Sequence, residues 1–362
     1  MQPDEEFLQS LGFDDLKSEY LKEKRRLEGI NQREAEQQHD TRLARLRAAF
    51  EEERSHMALF NLCVFPFTER GAAYRASGFR FVRAEPLYEK GIPNFDFLLY
   101  RQGLAQGPAA IFGECKGRVS RPASVVQDTR AKILNLQAHL DYVRINYFHL
   151  PPTASINIEF VLAVYSMDAP DILNEVANSG GGIVVWSAPR AGSDELRLVF
   201  PPRVVPHPHT MRHGMNELND TLQRVQSSRA AFGALPQSPP LLKLQALLEA
   251  ANLDRRVERV HLISVLQKDM FWMGTEELKR QADNLLDLGC RIGFLTTESG
   301  VGVYRVVARG LKKSVVEKAL EDKWYDFRLD QLAKEHLTDA ITSLQNAFEK
   351  KRSLRPTIDK WS

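Results

Sequence analysis

The sequence predicts an α/β fold, a mixed sheet flanked by helices, with a helical arm before it and a small helix-and-hairpin domain after it. Three observations carry this expectation. Between residues 79 and 186 short β-rich runs alternate with segments of helical period, the pattern of a sheet layered with helices. Residues 14–58 are densely charged, contain no proline, and have only Gly29 as a breaker, which favours a long helix. From Leu241 onward, three helical stretches precede two apolar runs around a Glu298-Ser299-Gly300 turn.

Taken in order, the arm has apolar positions at Leu16, Tyr20, Leu27, Ile30, Leu43, Leu46 and Phe50, with almost none from 31 to 41. That sparseness argues against a continuous coiled coil. The segment is expected to pack on the rest of the chain or on a partner subunit, with a solvated helix as the alternative. Residues 55–76 continue as helix, and Phe79-Arg80-Phe81-Val82-Arg83 alternates as a first strand. Two apolar runs, Phe95 to Tyr100 and Ala110 to Lys116, flank a Gly-rich turn between Gly103 and Gly107 and read as a hairpin. Val126, Ile133, Leu134, Leu136, Leu140 and Val143 lie at helical spacing within 125–147, and Ile156 to Tyr165 and Ile183 to Trp186 supply further strands.

The hairpin carries the chemistry. Side chains two apart on a strand share a face, so Glu114 and Lys116 point the same way. Folding the hairpin back brings Asp96 level with Glu114. Two carboxylates and an ammonium then converge at one end of the sheet. Adjacent carboxylates resist joint ionisation unless a cation sits between them. Mg²⁺ suits such a place, because it accepts one or two carboxylates, a backbone carbonyl and a substrate phosphate while keeping several waters. The carbonyl of Cys115 is the expected third donor, with its thiol turned to the core. Lys116 would orient or deprotonate the attacking water, or neutralise charge growing on the phosphate. A salt bridge on an ordinary hairpin would use the same residues.

Pro93-Asn94-Phe95-Asp96 followed by Glu114-Cys115-Lys116 resembles the PD-(D/E)xK, or restriction-endonuclease-like, nuclease superfamily. It departs from the literal pattern in the Asn94-Phe95 inserted between proline and aspartate. The resemblance covers about residues 61–205. It implies a metal-dependent DNA endonuclease with Mg²⁺ or Mn²⁺ held by Asp96, Glu114 and the Cys115 carbonyl, and with Lys116 catalytic. It further suggests Glu69 as an added acidic ligand and a glutamine from the helix after the lysine, where Gln137 and Tyr142 miss the usual spacing and Gln127 is the alternative. Arg118, Arg121 and Arg130 follow the catalytic strand as candidate phosphate contacts. Restriction or defence, repair, and mobile-element processing are all compatible biological settings. A non-catalytic DNA- or protein-binding adaptor with the same fold, or a nuclease acting on RNA, would share these residues.

Beyond Pro201-Pro202 the chain is rich in Pro, Ser and Gly up to Pro240 and reads as a linker. His207, His209 and His213 within it have no Cys or acidic neighbour and are expected to be polar linker residues, not a zinc site. Helices at 241–251, about 257–267 and 276–288, the last capped by Thr275, followed by strands at 291–295 and 301–307, look like a winged helix. Its third helix carries Glu276, Glu277, Asp283 and Asp287 against Lys279 and Arg280. Such a face is poorly suited to phosphates, so DNA contact would fall to Arg291, Arg305, Lys312 and Lys313, or the module would bind protein. Helices at 312–322 and 329–352 close the chain. The expected organisation is thus arm 1–60, nuclease-like domain 61–205, linker 206–240, winged-helix-like domain 241–310 and terminal helices 311–362.

Composition adds bounds. Lys plus Arg number 49 against 47 Asp plus Glu in 362 residues, and a balanced total neither requires nor excludes local nucleic-acid patches. Residues 1–60 are mildly acidic and the remainder mildly basic. The three cysteines have no metal-ligand spacing and no evident disulfide framework, pointing to a reducing compartment. The N-terminus does not read as a signal peptide, and no run approaches the roughly 20 apolar residues of a membrane span. A cytoplasmic protein is expected (nuclear in a eukaryotic cell), acting on double-stranded DNA away from membranes. A homodimer, or a partner protein held through the arm or the winged-helix-like domain, is part of the expectation.

Overall fold

The computed structural model describes residues 3–68, 77–103, 107–189, 205–207, 240–252, 254–298, 302–308 and 313–354. The structure is mixed α/β. Helix α1 (Pro3–Leu11) precedes the 51-residue α2 (Asp14–Val64), which runs through Gly29 without interruption. The helix expected to reach residue 76 ends at Val64, followed by a 3₁₀ turn at Phe65–Phe67. Pro66, buried within that turn, accounts for the stop, since proline lacks the N–H that helix continuation needs.

The principal sheet has six strands arranged in chain order: β1 (Arg80–Ala84), β2 (Phe97–Arg101), β3 (Ala109–Lys116), β4 (Asn157–Tyr165), β5 (Val184–Ala188) and the two-residue β6 (Val205–Pro206). β1, β2 and β3 are mutually antiparallel, β3, β4 and β5 are parallel, and β6 returns antiparallel. Parallel neighbours need crossovers. α3 (Pro122–Ala138) and α4 (Leu140–Phe148) connect β3 to β4, and α5 (Ala169–Asn178) connects β4 to β5. The single helix expected over 125–147 is divided at His139, whose backbone (φ −122°, ψ 16°) leaves the α region.

Both faces of the sheet are covered. Leu98, Tyr100, Ala110 and Phe112 pack with Leu136, Val143 and Phe148 of α3 and α4 on one face. On the other, the Phe97 ring lies 6.2 Å from Phe60 of α2 and 6.1 Å from Trp186. That double coverage explains why β2 and β3 read as continuous apolar runs and not as alternating ones.

After the segment 208–239, which lies outside the described residues together with His209 and His213, come α6 (Pro240–Ala250), β7 (Arg256–Glu258), α7 (Arg259–Asp269), α8 (Thr275–Arg291), β8 (Leu295–Thr297) and β9 (Val303–Val306). The three strands form a sheet in the order β7-β9-β8. Leu278, Ala282, Leu285 and Leu286 make the buried face of α8. Thr275, expected to cap that helix, begins it. Arg291 ends the helix instead of opening a strand, because Gly293, at φ 69°, turns the chain before β8. The final helix, α9 (Lys313–Ser353), is continuous where two were expected. The joining stretch 323–328 has neither Gly nor Pro, and its Tyr325 is buried.

The chain forms two compact units: Phe50–Arg291 with Leu295–Val307, and Met1–Ala49 with Ile292–Phe294 and Ala308–Ser362. In the second of these, α2 and α9 run antiparallel. Tyr20 meets Phe348 at 5.6 Å, the Asn31 amide donates to the Ala333 carbonyl at 3.0 Å, and Arg47 sits 5.6 Å over the Tyr325 ring. The arm's apolar face is therefore met by the chain's own C-terminal helix. In the first unit, β1 touches the C-terminal module through Phe81, whose ring is 6.0 Å from Phe271 and 5.3 Å from Trp272.

One glycine is indispensable to the sheet. Gly113 pairs with Phe97 across the β2–β3 ladder, and a Cβ there would lie 1.9 Å from the Phe97 ring. Gly113→Ala is expected to lower stability by about 1–3 kcal/mol, as overpacking of a full core does. Urea denaturation of the variant against wild type measures it, and an unchanged midpoint would contradict this packing.

Candidate active site

The β2–β3 ladder ends at Phe97 opposite Gly113. One step further along the same antiparallel register, Asp96 stands opposite Glu114. The Asp96 carboxylate (Oδ2) accepts the Cys115 N–H at 2.6 Å and so closes the ladder with a side chain. The N–H and C=O of one strand residue point to the same edge, which places the Cys115 carbonyl on the edge facing Asp96. The Cys115 thiol lies fully buried on the opposite face, where burial first, and hydrogen bonding with Cys63 next, push its pKa well up.

Glu114 is 2% exposed. An isolated carboxylate so deeply buried would take up a proton. Here each oxygen meets an ammonium: Oε1 is 2.7 Å from Lys116 Nζ, and Oε2 is 2.6 Å from Lys132 Nζ. Burial and then the Asp96 charge push the Glu114 pKa up, while Lys132 and Lys116 hold it back. The net shift is upward, and the ammonium on each oxygen opposes it by favouring the carboxylate form. Burial acts to lower the Lys116 pKa, but Glu114, then Asp96 and Asp128, outweigh it and leave that pKa raised.

Two more groups face the pair. His56 of α2 places Nε2 3.8 Å from Asp96 Oδ2. Its helix is held against the end of β3 by close backbone approach, since a Cβ on Gly117 would lie 2.6 Å from the His56 nitrogen. The Tyr165 hydroxyl donates to the Ser55 carbonyl at 2.7 Å and fixes the same turn of helix. Glu85, just beyond β1, adopts a positive φ of 44°, uncommon outside glycine. Its N–H donates to the Asp96 carbonyl and its carbonyl accepts the Tyr88 N–H, both at 2.9 Å. Burial first, then repulsion from Asp96, pushes the Glu85 carboxyl up to about 7.

The sequence-predicted residues divide. Asp96, Glu114, Lys116 and the Cys115 backbone come together. Gln127 and Gln137 lie exposed on α3 and make no hydrogen bond to the trio; that helix presents Lys132 to the site instead. Arg118 and Arg121 are exposed. Arg130 donates to Ser179 Oγ at 3.0 Å and the Gly181 carbonyl at 2.8 Å, bracing the loop after α5. Arg291 pairs with Asp287 at 3.7 Å and Arg305 with Glu298 at 3.4 Å. Glu69, Lys312 and the Lys313 side chain lie outside the described residues. Sequence reasoning missed Lys132, Glu85 and His56. Lys132 shares the buried side of α3 with Thr129 and Leu136, which only the structure shows.

Among the described residues, no three His, Cys, Asp or Glu side chains converge tightly enough to hold a metal ion alone. The donor set is two carboxylates and one carbonyl edge. That open set suits Mg²⁺ or Mn²⁺, which retain waters and share ligands with a substrate phosphate. No helix among the described residues is long and apolar enough to cross a membrane. Compared with known proteins, the chain matches no family model, no curated protein and no solved structure.

The Glu85 shift has a pH consequence. Its carboxyl holds a proton more tightly folded than unfolded, so its contribution to stability is full below the ordinary glutamate range and lost as pH rises towards 7. Discounted for partial solvent access, the effect is about 1–2 kcal/mol. In metal-free buffer, Glu85→Gln should gain that much stability relative to wild type between pH 4.5 and 8. Urea denaturation across this range measures it, and a pH-independent difference would contradict the assignment.

Proposed function

We propose that the chain is a metal-dependent nuclease of the PD-(D/E)xK kind, hydrolysing phosphodiester bonds of double-stranded DNA. The observation that carries this reading is the placement of Asp96 opposite Glu114 where the β2–β3 ladder stops, with Lys116 on the same face. Supporting it, three antiparallel strands followed by a helical crossover to a parallel strand form the order that this nuclease fold uses. Asp96, Glu114 and the Cys115 carbonyl would hold Mg²⁺ or Mn²⁺. When bound, the ion supplies Lewis acidity and lowers the pKa of a coordinated water. Lys116 would direct its ammonium at the attacking water and at the negative charge that builds on the phosphate. His56, beside Asp96, would fix that carboxylate's orientation.

The C-terminal helix–strand–helix–helix–strand–strand order is that of a winged helix, and we assign it a supporting role before a reading one. Glu276 and Glu277 pair with Lys279 and Arg280 along α8, and Asp283 accepts Arg259 at 2.6 Å. A helix covered in internal ion pairs gains little from displacing phosphate counterions. A homodimer that cuts both strands is part of the proposal. Its contact surface would be the outer face of the arm or of this module, because α9 meets the inner face of the arm.

A second reading has a specific observation in its favour. Both Glu114 oxygens are engaged by lysines, as in a fold kept as a non-catalytic binding adaptor with its charges neutralised internally. Plasmid cleavage separates the two. Supercoiled and linear DNA incubated with Mg²⁺ or Mn²⁺ should be cut by wild type. Asp96→Ala and Lys116→Ala should each reduce the rate by about 100-fold or more. Binding without cutting by the wild type supports the adaptor, and cutting of RNA alone reassigns the substrate.

A further inference from the structure

Lys132 lies outside the Glu-x-Lys motif, yet its ammonium stands as close to Glu114 as that of Lys116 does, 2.6 Å against 2.7 Å. It arrives from a different element, α3, and takes the Glu114 oxygen that Lys116 leaves. A divalent ion coordinated by that carboxylate would meet an ammonium within a few ångströms in a largely water-excluded place, where like charges repel strongly. One lysine therefore has to give way when the ion arrives.

The surroundings indicate which. Lys116 shares its strand with Glu114 and is also attracted by Asp96 and Asp128. Lys132 has a flexible four-carbon stem, is one-fifth exposed, and acts electrostatically on Glu85 as well as on Glu114. Glu85 is thus an alternative partner. Before the ion binds, Lys132 acts on both Glu85 and Glu114. With the ion on Asp96 and Glu114, Lys132 is released to Glu85 or to a substrate phosphate.

We propose that Lys132 is a positioning residue that occupies Glu114 Oε2 in the metal-free site and yields it to the divalent cation, thereby setting how tightly that cation binds. This rests on the nuclease reading above. Its function is to hold the buried Glu114 side chain in place for coordination while the site is empty. The cost is a weakened affinity for the ion.

Mn²⁺ binding by the full chain, without nucleic acid, tests it by calorimetry on wild type, Asp96→Asn, Lys132→Met and Lys132→Arg, with thermal melts to establish folding. Wild type should bind Mn²⁺ and Asp96→Asn should not. Lys132→Met should bind about tenfold more tightly, because a competing charge is gone. Lys132→Arg should bind several-fold more weakly, because a guanidinium grips a carboxylate with two parallel bonds; this variant still decides the matter if Lys132→Met does not fold. Wild-type binding lost in Asp96→Asn but unaltered by either Lys132 substitution would overturn the role of Lys132 and leave the nuclease reading standing. No Mn²⁺ binding by wild type would overturn both.

Discussion

A carboxylate with one-fiftieth of its surface open to water must be paid for, and the end of the sheet is organised around doing so. Glu114 is where strand register, helix placement and charge meet. Its position opposite Asp96 follows from the β2–β3 pairing, which in turn requires Gly113 beneath the Phe97 ring. Its charge is maintained by Lys116 from its own strand and Lys132 from the crossover helix. Removing either lysine would leave a half-neutralised buried ion, a far more costly state than the ion pair is a stabilising one.

The peripheral elements follow from that centre. α2 reaches the end of β3 only because Gly117 has no side chain, and it brings His56 beside Asp96. β1 delivers Glu85 with a backbone conformation fixed by hydrogen bonds on both its N–H and its carbonyl. Residues held in such sparsely populated conformations tend to sit at functional sites. The C-terminal module also approaches: α6 carries Lys243, whose pKa burial pulls down while Glu85 acts to raise it. The module thus contributes charge near the site as well as apolar support to Phe81.

Much of this was legible in the sequence because it is local. The hairpin between Phe95 and Lys116 declares its register through two apolar runs and a glycine-rich turn, and period-two geometry then aligns Asp96, Glu114 and Lys116. The helices of the C-terminal module announce their buried faces by spacing, as Leu278, Ala282, Leu285 and Leu286 do. What stayed hidden is non-local. Lys132 reads as one more solvated helix lysine until α3 is laid across the sheet, and nothing near Glu85 marks it as a neighbour of Asp96. The arm's partner was hidden for a related reason. Its polar middle argued against a continuous coiled coil and left packing on the chain or on a partner subunit undecided; a sequence-distant stretch of α9 meets it, with the Asn31 amide donating to the Ala333 carbonyl. The single terminal helix shows the opposite error, a break inferred where aromatic residues such as Tyr325 are core.

The most direct test of the central claim is anomalous diffraction from crystals of the chain grown with Mn²⁺. A nuclease site of this kind predicts a single strong peak among the oxygens of Asp96, Glu114 and the Cys115 carbonyl. The role assigned to Lys132 adds that its ammonium has left Glu114. No peak at this position at millimolar Mn²⁺, with both lysines still on Glu114, would contradict the account and leave the cluster as a buried salt-bridge network.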